Sequence, residues 1–305
     1  MRTYTRSYPV VALTFCLALF ACHKSVTDSQ PDHPSNDSSL VLIMPDTAKS
    51  TTPYPHTVSS GCSLAPVYGD SIVYPQPSAG NKDYVIKPTN NPGAGRYFSW
   101  PVGLVIDSLT GAIDVTKSET GQKYAIGFVK SGTRDTCLNR LTIGGAGYVD
   151  SVYVLASGAA TAVPYFDANP SLPSPCSTNG QGNGSGCAFD LSAFAAIQHV
   201  IIDKNTGIID LNKTLNGKGN SVGAFGLFPF NGEFIYTTIY YKVHDESNNA
   251  LQHITLQLVY YNKLSDVPNK LLANIGSSLT NLLMGNLIST DTNPRPPLIV
   301  IVRGK

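Results

Sequence analysis

The sequence predicts an all-β protein of two tandem β-sandwich domains, with one amphipathic helix inserted near the C-terminus. Three observations support this prediction. A 25-residue segment recurs at a spacing of 96 residues, which is the size of a sandwich domain rather than of a solenoid repeat. Short segments that alternate apolar and polar residues surround both copies, as half-exposed antiparallel strands do. A helical period over four to five turns occurs in one stretch near the C-terminus.

The repeated segments cover residues 103–127 (GLVIDSLTGAIDVTKSETGQKYAIG) and 199–223 (HVIIDKNTGIIDLNKTLNGKGNSVG), and they align without gaps. Nine of the 25 aligned positions are identical, and several others exchange one aliphatic residue for another. The identical pairs are Ile106/Ile202, Asp107/Asp203, Thr110/Thr206, Gly111/Gly207, Ile113/Ile209, Asp114/Asp210, Lys117/Lys213, Gly121/Gly217 and Gly127/Gly223. We infer an internal duplication.

Each copy is predicted to form a β-hairpin with a tight turn. An apolar strand ends in an acid (Asp107 or Asp203), the turn follows, and Gly111 or Gly207 supplies the backbone freedom that it needs. The acid before the turn can accept backbone N–H groups, as in Asx-turns. This pattern, Ile-Asp-x-x-Thr-Gly-x-Ile, resembles that of cadherin-like and putative Ig-like domains of bacterial surface proteins. The resemblance implies a β-sandwich fold and says little about function.

Four regions are predicted along the chain: a signal peptide at 1–21, a disordered tether at 22–60, a first β-sandwich repeat at 61–160 and a second at 161–305. Leucines and isoleucines at i, i+3, i+4 and i+7 predict the amphipathic helix over 269–287, and a shorter helix is considered for 188–198. Further strands are expected at 71–74, 84–86, 123–129, 141–143, 148–155, 233–243, 254–261 and 298–303.

The N-terminus predicts export and a lipid anchor. Arg2 and Arg6 precede an apolar run of eleven residues, Val10 to Phe20, which fits a signal peptide and is too short to span a bilayer. The run ends in Leu-Phe-Ala-Cys, which resembles the lipobox of bacterial lipoproteins. The resemblance implies cleavage after Ala21 and acylation of Cys22, and two or three acyl chains suffice for stable anchoring.

The stretch after Cys22 is rich in Ser, Asp and Pro without apolar periodicity, which is typical of a tether. Removing Arg2 and Arg6 with the signal peptide leaves 19 basic and 20 acidic side chains, so the formal charge of +1 becomes −1. A nucleic-acid partner is excluded, because electrostatic binding needs a basic patch. The expected location is the outer membrane, facing the periplasm or the cell surface.

Four cysteines remain after Cys16 is removed and Cys22 is assigned to lipid. An even number in an exported chain predicts disulfides, with three possible connectivities. We favour Cys62–Cys137, which would join the start of the first repeat to its body, and Cys176–Cys187, which would close a Gly-rich loop. Free thiols are the alternative.

No catalytic, cofactor-binding or metal-binding residues are assigned from the sequence. No G-x-S-x-G or H-E-x-x-H motif occurs, and the acids at the duplicated turns are interpreted as structural, although cadherin-like domains can hold calcium between modules. We therefore predict a lipid-anchored cell-envelope protein of a Gram-negative, Bacteroidetes-like bacterium with a non-catalytic binding, adhesion or scaffolding role.

The alternative is an accessory glycan-binding subunit or hydrolase of polysaccharide uptake. Two carboxylates about 5–9.5 Å apart in a cleft would favour a hydrolase, whereas a flat aromatic strip would favour glycan binding. Exposed tyrosines and Trp100 are the candidate contacts with a partner protein or glycan.

Overall fold

A computed structural model of the protein describes residues 58–59, 62–78, 80, 82–133, 136–176, 186–219, 221–284 and 296–305. Its content of 36% strand and 12% helix confirms the all-β class. The strands are β1 Val58–Ser59, β2 Ile72–Val73, β3 Val85–Ile86, β4 Gly95–Trp100, β5 Ile113–Asp114, β6 Gln122–Lys130, β7 Thr136–Ile143, β8 Ala146–Tyr148, β9 Ser151–Val154, β10 Thr161–Ala162, β11 Pro164–Phe166, β12 Ile209–Asp210, β13 Phe234–Tyr241, β14 Gln252–Lys263 and β15 Leu298–Gly304. The helices are α1 Phe194–Ile197, α2 Leu211–Asn216 and α3 Asn269–Met284.

The first half is built on the antiparallel hairpin of β6 and β7. Strand β4 pairs with the outer edge of β6, and β1 and β2 pair in parallel with β7. Alternate residues of the hairpin, such as Tyr124, Ile126 and Leu141, are buried against the small β3–β5 sheet, whose Ile113 is fully buried. Two β-layers therefore enclose the core of this half.

The second half carries a four-stranded sheet in the order β13-β14-β15-β9. One face contributes Tyr241, Leu256 and Ile301 to the main core, which the small β8–β11 and β10–β12 sheets help to enclose. The other face packs against α3 through Val259, Val300 and Ile275, among others. All the described residues belong to one compact unit.

Helix α3 confirms the amphipathic helix predicted over 269–287, although Leu287 lies outside the described residues. Its role in the fold follows from the strands on either side, because β14 and β15 are parallel neighbours. Parallel neighbours cannot be joined by a tight turn and need a crossover, which is usually a helix. Of the shorter helix considered for 188–198, only α1 (194–197) is helical. The segment begins extended, because Ala188 forms an antiparallel β-bridge with Lys242.

The change from the first sheet to the second occurs earlier than the domain prediction placed it. Strand β9 (151–154) lies within the predicted first repeat, 61–160, yet it pairs in parallel with β15 of the second sheet. This partner comes from the far end of the chain, so no local pattern around β9 indicates it. Within the predicted tether, Val58 and Ser59 form β1 and pair with β7. The signal peptide, Cys22 and the rest of the tether lie outside the described residues.

Two disulfides connect the four predicted cysteines in the favoured arrangement, Cys62 with Cys137 and Cys176 with Cys187. Cys137 lies in β7, so the first bond ties the segment before β2 to the centre of the first sheet. Cys176 and Cys187 are both buried in the core of the second half.

Candidate functional site: a groove between the two halves

The duplicated turns have the same hydrogen bonds in both copies. Asp107 Oδ1 accepts the N–H groups of Leu109 and Thr110 at 2.9 and 2.7 Å, and Asp203 Oδ1 accepts the equivalent groups of Asn205 and Thr206, both at 2.9 Å. Each turn closes with the glycine N–H, of Gly111 or Gly207, donating to the aspartate carbonyl at 2.8 Å.

These hydrogen bonds also set the electrostatics of the turn acids. The bonds from Thr110 and Leu109 lower the pKa of the Asp107 carboxyl. Partial burial acts to raise the pKa of Asp203, but the bonds from Asn205 and Thr206 outweigh it and the net shift is downward. Both carboxylates are therefore charged and committed to their own turns, where they stabilise the backbone.

A buried tyrosine supports each turn from outside the repeated segment. Tyr68 Oη donates to the Gly111 carbonyl at 2.7 Å, and Tyr148 Oη donates to the Gly207 carbonyl at 2.5 Å. The same glycine carbonyl is therefore bound by a buried tyrosine in both copies. Sequence comparison missed these residues because they lie at different distances from their turns, 43 and 59 residues.

The two halves meet at a buried polar contact centred on Tyr241. Its hydroxyl is hydrogen-bonded to Thr120 Oγ1 and accepts the Ala146 N–H at 2.7 Å. Thr120 Oγ1 also donates to the His253 carbonyl at 3.0 Å. Next to it, burial raises the pKa of Glu119 to about 7, although hydrogen bonds with Thr255 act to lower that pKa. Side chains of the first half are therefore fixed directly to β13 and β14 of the second.

A groove of about 580 Å³ opens beside this contact and is lined by four separate segments of the chain. Two segments belong to the first half and two to the second. The lining residues are Pro75, Gln76, Pro77, Ser78, Thr116, Lys117, Tyr240, Lys242, Asn249, Ala250, Leu251 and His253.

The walls of the groove are held together by hydrogen bonds across the junction. Gln76 Nε2 donates to the Glu246 carbonyl at 3.1 Å, and Asn248 Nδ2 donates to Gln76 Oε1 at 3.1 Å. Lys117 is fixed by ion pairs to Asp83 and Asp114. Lys242 is exposed, and no salt bridge to it occurs within the described part of the chain. Hydrogen bonds and ion pairs thus fix the walls of the groove, and Lys242 lies at its edge without an ion pair to a described residue.

Three rings form an aromatic platform, defined as Phe194, Tyr240 and His253. Tyr240 and His253 are direct partners across β13 and β14, and their rings are stacked with centroids 5.6 Å apart and planes 27° from parallel. The Phe194 ring lies 6.1 Å from that of Tyr240 and is half exposed. Burial lowers the pKa of His253, so its ring is neutral at pH 7. The platform offers an uncharged flat surface next to amide, hydroxyl and amine groups.

A second cleft, of about 510 Å³, is acidic and is lined in part by Asp167, Asp245 and Glu246. Asp167 is already engaged, since Oδ1 accepts the Gly145 N–H at 2.8 Å and Oδ2 accepts the Tyr74 hydroxyl at 3.0 Å. Burial raises the pKa of Asp245, and the neighbouring negative charges of Asp167 and Glu246 add to this. Among the described residues, no group of three or more His, Cys, Asp or Glu is arranged to hold a metal ion.

Only a few of the residues singled out from the sequence line the groove. The acids, threonines and glycines of the duplicated turns do not line the groove, although Thr116 and Lys117 of the first copy do. Trp100 lies at the end of β4 and does not belong to the groove lining. The tyrosines of β13 can be read from the sequence. That His253 stacks on Tyr240, however, depends on the register between β13 and β14.

No protein-family model and no curated protein matches the chain. Among solved structures it is similar to a crystal structure of Drosophila N-cadherin EC1-4, with 12% identity over 65% of this chain and 48% of that one, at a TM-score of 0.19. It is also similar to PcdhgB3 EC1-4, with 9% identity over 65% of this chain and 51% of that one, at the same TM-score. The chain spans about half the length of these solved chains. Its assignment to the all-β class depends on its own strand content and not on these similarities.

None of the helices in the described part of the chain has the length and apolar character needed to cross a membrane.

Proposed function

We propose that this chain is a lipid-anchored cell-envelope protein with a non-catalytic binding role, and that the groove between its halves binds a glycan. The single observation that carries the glycan assignment is the stacked Tyr240–His253 pair, which lies in a groove lined with amide and hydroxyl groups. Sugar rings combine apolar C–H faces with a rim of hydroxyls. An aromatic surface bordered by hydrogen-bonding groups is complementary to both.

The polar lining supports this ligand class. Gln76, Ser78, Thr116 and Asn249 offer both donors and acceptors, which sugar hydroxyls can use in either direction. Lys242 adds a positive charge at the edge, which favours glycans that carry carboxylates or other acidic groups.

A hydrolase is the competing function, and the acidic cleft is where its chemistry would have to lie. A general acid with a raised pKa and a second carboxylate are required, and Asp245 has a raised pKa. Of the other two carboxylates in that cleft, Asp167 already accepts internal hydrogen bonds with both oxygens, which is the arrangement of a structural acid, and Glu246 is exposed. Side chains with amide, hydroxyl, amine and ring groups line the groove that contains Tyr240 and His253, and this favours binding without cleavage.

The glycan proposal is tested with Tyr240→Ala. In the soluble Cys22→Ser chain, we expect retention by at least one polysaccharide of a cell-wall panel in affinity electrophoresis. Tyr240→Ala should raise the Kd for that polysaccharide at least tenfold, about 1.4 kcal/mol, because the stacking surface is lost. Tyr240→Phe should retain binding, since it keeps the ring.

The matched control is Phe228→Ala, which removes an exposed ring outside the groove lining and should leave the Kd unchanged. Absence of binding to every polysaccharide, or equal binding by Tyr240→Ala, would contradict the proposal. Shortening of the bound polysaccharide during incubation would replace it with the hydrolase.

The membrane attachment rests on the lipobox-like Leu-Phe-Ala-Cys run and is tested with Cys22→Ser. We expect the unsubstituted chain to stay with membranes after a high-salt and carbonate wash, and Cys22→Ser to be released by it, because the acyl chains supply the stable attachment. Immunoblots of the washed membrane and soluble fractions measure this. Retention of Cys22→Ser after the wash would rule out the anchor.

A further inference from the structure

The geometry points to a second contact with the membrane, in which the loop between α2 and β13 inserts its apolar tip into the interfacial region of a bilayer. We define the apolar tip as Leu227, Phe228 and Phe230. This inference concerns a surface distinct from the groove. It extends the membrane attachment proposed for Cys22, without requiring the acyl chains for the contact itself.

The tip is exposed to a degree that its residue types rarely show. Phe228 is 92% exposed, Leu227 73% and Phe230 67%. Single apolar residues on a surface are ordinary, but three within four positions form a contiguous patch, and such patches mark interaction sites. Since Phe228 is almost free of protein contacts, the tip projects from the surface. A fluid apolar phase can accept a projecting tip without a complementary pocket.

The loop is held in place by hydrogen bonds at its base. Gly232 N–H donates to the Tyr260 carbonyl at 2.9 Å, and Asn231 Oδ1 accepts the Asn262 N–H at 2.7 Å. Asn231 Nδ2 also donates to Asp266 at 3.0 Å. The loop is thereby bound to the segment 262–266, in which Leu264 is another exposed apolar side chain. Hydrogen bonds thus fix the base of the loop from which the apolar residues project.

The charges around this base suit an anionic membrane surface. The two acids are engaged in hydrogen bonds within the base: Glu233 Oε2 accepts the Phe230 N–H at 3.2 Å, and Asp266 Oδ2 accepts from Asn231 and from the Lys263 N–H. Lys218, at the start of the loop, and Lys263, in the segment that holds it, are exposed, and no ion pair to either occurs between described residues. An exposed lysine next to exposed apolar side chains, as Lys263 is next to Leu264, is typical of proteins that lie at the interface of anionic bilayers. A protein pocket is the other conceivable occupant, and this charge pattern favours the bilayer.

The test places a fluorescent reporter at the tip. Phe228→Trp in the full Cys22→Ser chain is mixed with vesicles of phosphatidylcholine alone or with a quarter of phosphatidylglycerol. We expect the added tryptophan emission, relative to the chain with Trp100 alone, to shift to shorter wavelength. Brominated lipid should quench it, and both effects should be larger with phosphatidylglycerol.

Leu109→Trp is the matched control, because Leu109 is 63% exposed at the turn of the first repeat. The emission of a tryptophan at this position should not change with vesicles.

The double variant Phe228→Ser with Phe230→Ser should reduce co-sedimentation with the anionic vesicles at least fivefold, with an unchanged thermal transition. An unshifted Phe228→Trp, or equal shifts at both positions, would overturn the inference. Because the chain lacks Cys22, these outcomes do not depend on the acyl anchor or on glycan binding. If vesicles have no effect but the double serine variant loses a crosslinked protein in cells, the occupant is a protein and the inference is wrong.

Discussion

Tyr241→Phe is expected to lower the free energy of unfolding by about 2–3 kcal/mol, because the change leaves the buried Ala146 N–H without an acceptor and removes a partner of Thr120. The ring of Tyr241 is fully buried and stacks on Phe189 at 5.1 Å, so phenylalanine keeps the packing and only the hydroxyl is lost. Urea unfolding followed by circular dichroism measures the change, with an unaltered m-value as the sign that the same surface unfolds.

Tyr260→Phe is the control for this experiment. Tyr260 is also a buried tyrosine of the second sheet, but its hydroxyl donates at 3.3 Å to the exposed Asn262, whose side chain can bond to water instead. We expect Tyr260→Phe to cost less than about 1 kcal/mol. Equal effects of the two substitutions would show that the contact between the halves contributes nothing beyond the loss of a hydroxyl.

Gly121→Ala and Gly217→Ala are each expected to cost more than about 3 kcal/mol, which exceeds the cost of backbone strain alone. These glycines are an identical pair of the duplication, and both have positive φ, 69° and 83°. A Cβ on Gly121 would overlap the backbone of Ala146 in β8, and one on Gly217 would overlap the Ser221 carbonyl. Neither obstacle is a flexible side chain, so the backbone itself must move. Thermal and urea unfolding of the two variants measure the cost.

Gly132→Ala and Gly158→Ala separate the two contributions to that cost. Both glycines have φ values above 80°, but no atom lies within 4 Å of the position that a Cβ would occupy. We expect them to cost only about 1–2 kcal/mol, from the left-handed backbone conformation. If Gly121→Ala lowered the free energy of unfolding no more than Gly132→Ala does, the close approach of the Ala146 backbone would not explain why position 121 is a glycine.

These contacts bear on the proposed glycan binding, because the groove has walls from both halves. Thr120, Tyr241 and Gly121 join β13, β14 and β8 to the end of the first repeated segment, and the groove opens beside them. A site assembled from two bodies binds well only when their geometry is fixed beforehand, since ordering them on binding costs free energy. The same polar contact thus stabilises the fold and orients the platform relative to Gln76 and Lys117.

Several features of the fold could be predicted from the sequence because they depend on neighbours along the chain. The duplicated turns follow from an acid, a turn and a glycine within five positions, and the structure closes both with backbone bonds. Each predicted hairpin is reduced to one bridge, Ile106–Ile113 or Ile202–Ile209, because β5 and β12 pair with β3 and β10 instead. Helix α3 follows from the 3.6-residue period of its apolar side chains. The favoured disulfide pairing is confirmed, but only Cys176–Cys187 closes a short loop, since Cys62 and Cys137 are 75 positions apart.

The candidate site could not be predicted in this way, because its parts are brought together by strand register and crossovers. Tyr240 and His253 stack only because the β13–β14 hairpin pairs those two positions, and a shift of one residue would turn one ring to the opposite face. Pro75 and Leu251 face one groove although 176 positions separate them in the sequence.

The sequence by itself determined the local chemistry of this protein: two copies of one turn, one amphipathic helix, and an N-terminus that predicts a lipid anchor. For the cysteines it favoured one pairing among three, which the structure confirms. Only the tertiary structure decided that β9 pairs with β15, that Tyr68 and Tyr148 support the two turns, and that the halves enclose a groove with an aromatic platform. The physical reason is that turn and helix preferences act over a few residues. Pairing between distant strands depends instead on burial and hydrogen bonding in the whole fold.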